Sequence, residues 1–265
     1  MASVVFFHAH PDDEAIATGG SMARYASEGH RVVLVCATRG ELGEVADGVL
    51  ADGEALHERR TEETHTAAGI LGVARVEFLG YHDSGMADEP TNTASGAFAA
   101  ADLDEAAGRL AAILRDESAE VLTVYDENGN YGHPDHIQVH RVGIRAAELA
   151  GTPRVYESTM NRDFIKDLIR TRLAEMPEVA DLEDAPDPDE FDIGMPAELI
   201  TTTVDVSGFV EAKRAAMAAH ASQIGPESFF LQLPPEAFAA SFGQEWFIRR
   251  GPERATVEDT LFPVD

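Results

Sequence analysis

The sequence predicts an α/β fold of three layers, a mostly parallel sheet with helices on both faces, and two observations carry that prediction. Through the first half, short apolar runs alternate with stretches of helical spacing, the pattern of a sheet built from crossover units. Four successive apolar runs also end in polar loops rich in ionisable groups, as expected at the carboxyl ends of parallel strands, where ligands gather. The arrangement is Rossmann-like, and one domain spanning residues 1–265 with a small C-terminal elaboration accommodates it.

Strands are expected at residues 3–7, 31–37, 75–79 and 119–125, with a later one near 154–157. Between them, residues 55–71 have helical composition and run into Gly72, while 102–117 repeat an apolar spacing of three and four. The second half is less regular. Residues 174–194 mix acids with prolines and read as a surface loop or cover. A strand near 199–205 and a helix at 207–221 follow.

A formal net charge of −28 repels a phosphate backbone and an anionic lipid surface alike, so nucleic acid and membrane are poor partners. The plain reading of that acidity is solubility. The single cysteine, Cys36, lies inside an apolar run and reads as a small core residue; alone, it forms no intramolecular disulfide. The chain enters its first strand without a basic or long apolar leader, which makes a cytoplasmic enzyme the expectation.

The strand-end loops read "HAHPDDE" (8–14), "TRGELGE" (38–44), "GYHDSGM" (80–86) and "DENGNYGHPDH" (126–136). None has the glycine spacing of a phosphate-binding turn, and no serine-centred elbow is present. The first instead offers His8, His10, Asp12, Asp13 and Glu14; the fourth offers Asp126, His133, Asp135 and His136, with His140 a turn further on. A hydrolytic zinc keeps three ligands from such side chains and leaves a position for water. Pro134 suits the first position of a helix, which makes His133 its cap and puts His136 on the same face. A free carboxylate beside a liganding one suits a general base, and a free imidazole suits stabilisation of an oxyanion or protonation of a leaving amine.

"AHPDDE" at 9–14 together with "HPDH" at 133–136 resembles the zinc-dependent deacetylases of the LmbE-like family, which includes the N-acetylglucosaminyl-phosphatidylinositol de-N-acetylases. The segments "ARYASEGHRVVLVCATRGELGE", "HDSGMA", "YDENGNYGHPDHIQVH" and "AAHASQI" extend the similarity to the mycothiol enzymes of that family, a deacetylase and an S-conjugate amidase. The resemblance covers about two thirds of the chain and leaves 158–198 unmatched, a variable substrate cover.

The resemblance implies His10, Asp13 and His136 as metal ligands and Asp12 as general base. It further implies that His133 and Tyr131 assist at the tetrahedral intermediate and that Asp135 orients a histidine. Arg60 and Asp83 match sugar- or inositol-binding positions, and Glu44 and Met86 lie in the matching loops. Zinc is the expected metal, and ferrous iron fits the same donors. The expected reaction is removal of an N-acetyl group from a glucosamine-containing small molecule of the N-acetylglucosaminyl-inositol type.

An S-conjugate amidase and a tailoring deacetylase of secondary metabolism share that chemistry, and a non-catalytic metal-binding scaffold is the reading from another class. The expected partner is a small-molecule amide, with a homo-oligomer left open. His220 in "AAHASQI" reads most simply as an anchor of a helix end to the core.

Overall fold

The computed structural model describes residues 1–45, 48–175, 187–251 and 257–263. Strands β1 (Ser3–His8), β2 (Arg31–Cys36), β3 (Arg75–Phe78), β4 (Val121–Tyr125), β5 (Arg154–Thr159), β6 (Thr202–Asp205) and β7 (Gln244–Arg249) form one sheet in the order β3-β2-β1-β4-β5-β7-β6. The first five are parallel; β7 runs antiparallel to both β5 and β6. The sheet order therefore reverses direction of growth beside β1, which puts the ends of β1 and β4 at the switch point where such sheets hold ligands.

β1 is central because both its faces are apolar. Val4 and Phe6 enter one core and Val5 and Phe7 the other, all fully buried, and each such side chain contributes about 1.5–3 kcal/mol. On the first face lie α1 (Asp13–Ala17), α2 (Gly19–Ser27) and α3 (Leu56–Leu71), through residues such as Met22, Tyr25 and Leu71. On the other lie α4 (Leu103–Asp116) and, after the irregular turn α5 (Gly129–Gly132), the long α6 (Pro134–Ala150), through Leu110, Val139 and Val142. Beyond β5 come α7 (Arg162–Glu175) and α8 (Val210–Ala219), the latter packed on α3.

The fold is the three-layer α/β architecture the sequence predicts, with Cys36 fully buried. α7 and β7 are additions that the sequence pattern did not reveal. β7 lies between β5 and the edge strand β6, and its Trp246 packs on Phe164 of α7, ring centroids 5.0 Å apart. Of the expected acidic loop, 176–186 lie outside the described residues, while 187–194 are turns and irregular chain. Among the described residues, no helix is long and apolar enough to cross a membrane.

Candidate metal centre

The loop after β1 is shaped by an unusual backbone. Asp12 has φ 93°, a left-handed conformation that costs a non-glycine residue of order 1–3 kcal/mol, and it starts α1 by accepting hydrogen bonds from the amides of Ala15 and Ile16. One turn of chain then closes on itself, because Asp13 Oδ2 accepts the His10 amide at 2.9 Å. The same oxygen stands 3.4 Å from His10 Nδ1 and 3.3 Å from His136 Nε2, so it lies between two imidazoles from opposite ends of the sequence.

After β4 the chain turns through positive φ at Gly129, Asn130 and Gly132, and only then does the regular start of α6 reach that point. His133 caps α6, its Nδ1 accepting the Asp135 amide at 3.1 Å, and Pro134 takes the first helical position. An Nδ1 that accepts a hydrogen bond leaves Nε2 as the protonated nitrogen of a neutral ring. Burial, helped by the neighbouring His10 and His136, pushes the basicity of His133 down. His136 follows one turn later, 2% exposed and stacked on Tyr125 with centroids 4.4 Å apart. Tyr125 is fixed in turn by its hydroxyl, 2.8 Å from Nδ1 of buried His8.

Asp135 is fully buried and its carboxylate is saturated. Oδ2 accepts from His10 Nε2 at 3.1 Å and from the Ser84 amide at 3.0 Å, and Oδ1 accepts from Ser84 Oγ at 2.5 Å. With its Nε2 proton given to Asp135, His10 turns Nδ1 towards Asp13. Burial opposes a charge on His10, yet Asp13, Asp135 and Asp83 together hold its pKa well above the ordinary value. Burial likewise opposes the Asp13 carboxylate, but His136 and His10 keep it ionised. Burial raises the pKa of Asp12 against the opposing Arg60 guanidinium, whose Nη2 is 3.3 Å from Asp12 Oδ2.

The donor set suits a divalent cation. Two described groups place their donor atoms within 4.8 Å of one another, His10 with His133 and His136, and His10 with Asp83 and Asp135. Neither ring nitrogen of buried His136 makes a hydrogen bond, and a divalent cation between that imidazole and the facing carboxylate would satisfy both.

The remaining expected residues divide into two groups. Asp83 stands at the centre, Oδ1 3.5 Å from His10 Nε2, and although burial works against its charge, His10 and the Gly85 and Leu42 amides keep it ionised. Tyr131 is half exposed with its ring 4.9 Å from that of His136; Met86 and Glu44 are exposed on their loops. Arg60 departs from the expectation of a sugar contact. It is 3% exposed, with Nη1 given to the Gly40 carbonyl and Nη2 to the Pro11 carbonyl, so it lies beneath the site and braces the Asp12 turn. Gly40 permits this, since a Cβ there falls 2.1 Å from Arg60 Nη1.

Sequence reasoning gave no role to Ser84, Tyr125 or Glu14. Ser84 and Tyr125 act on residues distant in the chain or on another element, and no local spacing marks them. Glu14 lies inside the first motif and is fully buried, its Oε1 2.5 Å from His220 Nε2.

A family model described as PIG-L, GlcNAc-PI de-N-acetylase, matches residues 5–147. The chain is 41% identical over 288 residues to the 1D-myo-inositol 2-acetamido-2-deoxy-alpha-D-glucopyranoside deacetylase of Streptomyces avermitilis, with 98% of this chain and 96% of that one covered. Among solved structures, the N,N'-diacetylchitobiose deacetylase of Pyrococcus horikoshii aligns with TM-score 0.56 and 22% identity, over 93% of this chain and 83% of that one. The 4-carboxy-2-hydroxymuconate hydratase of Pseudomonas putida KT2440 aligns as well, with TM-score 0.58 and 20% identity over 96% and 98%. One fold thus carries hydrolase and hydratase alike, and the fold alone does not select the reaction. The match to the family model over residues 5–147, joined to 41% identity over nearly the full length of the Streptomyces deacetylase, shows that this chain belongs to the PIG-L family of de-N-acetylases.

Proposed function

We propose that this chain is a zinc-dependent N-deacetylase that hydrolyses the acetamide of a glucosamine-containing small molecule of the N-acetylglucosaminyl-inositol type. The observation that carries the reading is the single oxygen of Asp13 between His10 and His136, with a second carboxylate, Asp12, next to it. The name of the Streptomyces relative supports the substrate class.

His10, Asp13 and His136 would hold the metal through Nδ1, Oδ2 and Nε2. The other donors are engaged elsewhere, since His133 Nδ1 caps α6 and Asp135 binds Ser84 and His10. Zinc in that position supplies a Lewis acid for the amide carbonyl and makes a water easier to ionise; ferrous iron suits the same donors. Asp12 takes the proton of the attacking water, a role its burial favours by raising its basicity. His133, neutral and protonated at Nε2, donates to the oxyanion that develops on the carbonyl. Tyr131 assists, its hydroxyl kept protonated by burial and the surrounding carboxylates. Asp135 holds the His10 ring in place. The proton gathered by Asp12 then goes to the departing nitrogen, which releases acetate and a free amine. Asp83, Glu44 and Met86 face the sugar and its substituent, with Arg60 bracing the turn behind them.

Amine release from N-acetylglucosaminyl-inositol, N-acetylglucosamine and a mycothiol S-conjugate, with zinc-loaded and chelated protein, tests this. Chelator-sensitive turnover of the first above the other two is expected. Preference for the conjugate assigns the chain to the amidases, and no turnover of any removes the proposed substrate class.

A further inference from the structure

The segment "HASQ", residues 220–223, just past α8, has no part in the chemistry above, yet it touches three walls of the site. His220, fully buried, meets Glu14 Oε1 at 2.5 Å, and Glu14 Oε2 accepts the amide of Asp12 at 2.9 Å. Ser222 gives its amide and its hydroxyl to the two oxygens of buried Glu63, one turn along α3 from Arg60. Gln223 Nε2 donates to the Glu44 carbonyl at 3.2 Å, and its side chain packs so closely on Gly43 that a Cβ there falls 2.4 Å from Gln223 Oε1.

We propose that residues 220–223 are a positioning clasp, in which His220 acts through Glu14 to hold the left-handed turn at Asp12 and Gln223 sets the loop that bears Glu44. The inference rests on Asp12 being the general base. The physical reason is the strain at Asp12, which persists only where the surroundings over-determine it. Its amide is bound by Glu14, the preceding carbonyl by Arg60 and its carboxylate by Arg60 again. Without His220, the Glu14 carboxylate loses its buried partner, and the Asp12 amide loses a fixed acceptor. Of the metal donors, His10 and His136 are held separately, by Asp135 and Tyr125, and Asp13 accepts the His10 amide. The clasp therefore acts on turnover more than on metal affinity.

The test compares His220→Ala, His220→Gln, Gln223→Ala and Asp12→Asn as full-length proteins, measuring kcat, KM and zinc affinity by competition with a chromogenic chelator. His220→Ala is expected to lower kcat about 10- to 100-fold while KM and zinc affinity move less than about 3-fold. His220→Gln, whose amide still donates to Glu14, recovers most of that loss. Gln223→Ala is expected to act on KM, raising it several-fold, and it is the arm that stands if His220→Ala does not fold. An unchanged kcat in His220→Ala, equal losses of kcat and zinc affinity that Gln does not rescue, or an unchanged KM in Gln223→Ala overturns the proposal. Full turnover by Asp12→Asn removes the base assignment beneath it, whereas an inert Asp12→Asn beside an unimpaired His220→Ala removes the clasp alone.

Discussion

The two histidine motifs that meet at the centre are built by opposite means. "HPDH" sits on a regular helix start, where a cap, a first-turn proline and the helical repeat bring His133 and His136 to one side, and the one left-handed non-glycine nearby, Asn130, lies in the turn before it. "AHPDDE" turns through a left-handed aspartate and is held from outside, by Arg60 of α3 and, through Glu14, by His220 beyond α8. A site residue placed by local geometry is robust to distant change; one placed by strain depends on remote partners. "AHPDDE" therefore carries the adjustable half of the site.

The largest effect is expected at the point the two motifs share. His136→Ala removes one of the donors around Asp13 Oδ2, and both bound zinc and turnover are expected to fall to the chelated baseline, as metal analysis alongside amine release will show. Asp135→Asn frees the far side of His10 and is expected to weaken zinc about 10- to 100-fold, read by chelator competition. Unchanged affinity there places the His10 proton elsewhere.

Acid acts through His8, buried between Tyr125 and Thr18 behind both motifs. Burial lowers its pKa from 6.5 to about 4, so between those values the unfolded chain takes up a proton that the folded chain refuses. Its contribution is complete above pH 6.5 and is lost as pH falls towards 4. Urea unfolding of chelated protein should show that slope, and His8→Gln should flatten it. Gly40→Ala crowds Arg60 and imposes a left-handed alanine, at an expected cost of about 1–2 kcal/mol with loss of turnover. The smallest effect falls on the regular half. His133→Ala removes a cap worth about 1 kcal/mol, His133→Asn restores it, and neither restores activity, a split that thermal melts and assays resolve.

The fold was legible where local physics decides it. Alternating apolar runs marked the five parallel strands, and Pro134 marked the start of α6. β7 escaped because "QEWFIR" follows directly on a helical stretch and pairs with β5 across more than eighty residues, a non-local choice that no spacing announces. The site was legible as two motifs and opaque as a support structure. Asp135 and Ser84 are 51 residues apart, and Glu14 and His220 are 206 apart. Arg60 shows the limit of transferring a role by motif: its position matched a sugar contact, but its guanidinium faces carbonyls inside the protein.

The central claim is that two neighbouring aspartates divide the work, Asp13 holding metal and Asp12 moving a proton. Zinc stoichiometry and amine release, measured side by side on Asp12→Asn and Asp13→Asn, test it most directly. Asp12→Asn is expected to keep its zinc and lose about 10²- to 10⁴-fold in turnover, while Asp13→Asn loses zinc and turnover together. Zinc retained by Asp13→Asn, or near-normal turnover by zinc-loaded Asp12→Asn, would contradict it.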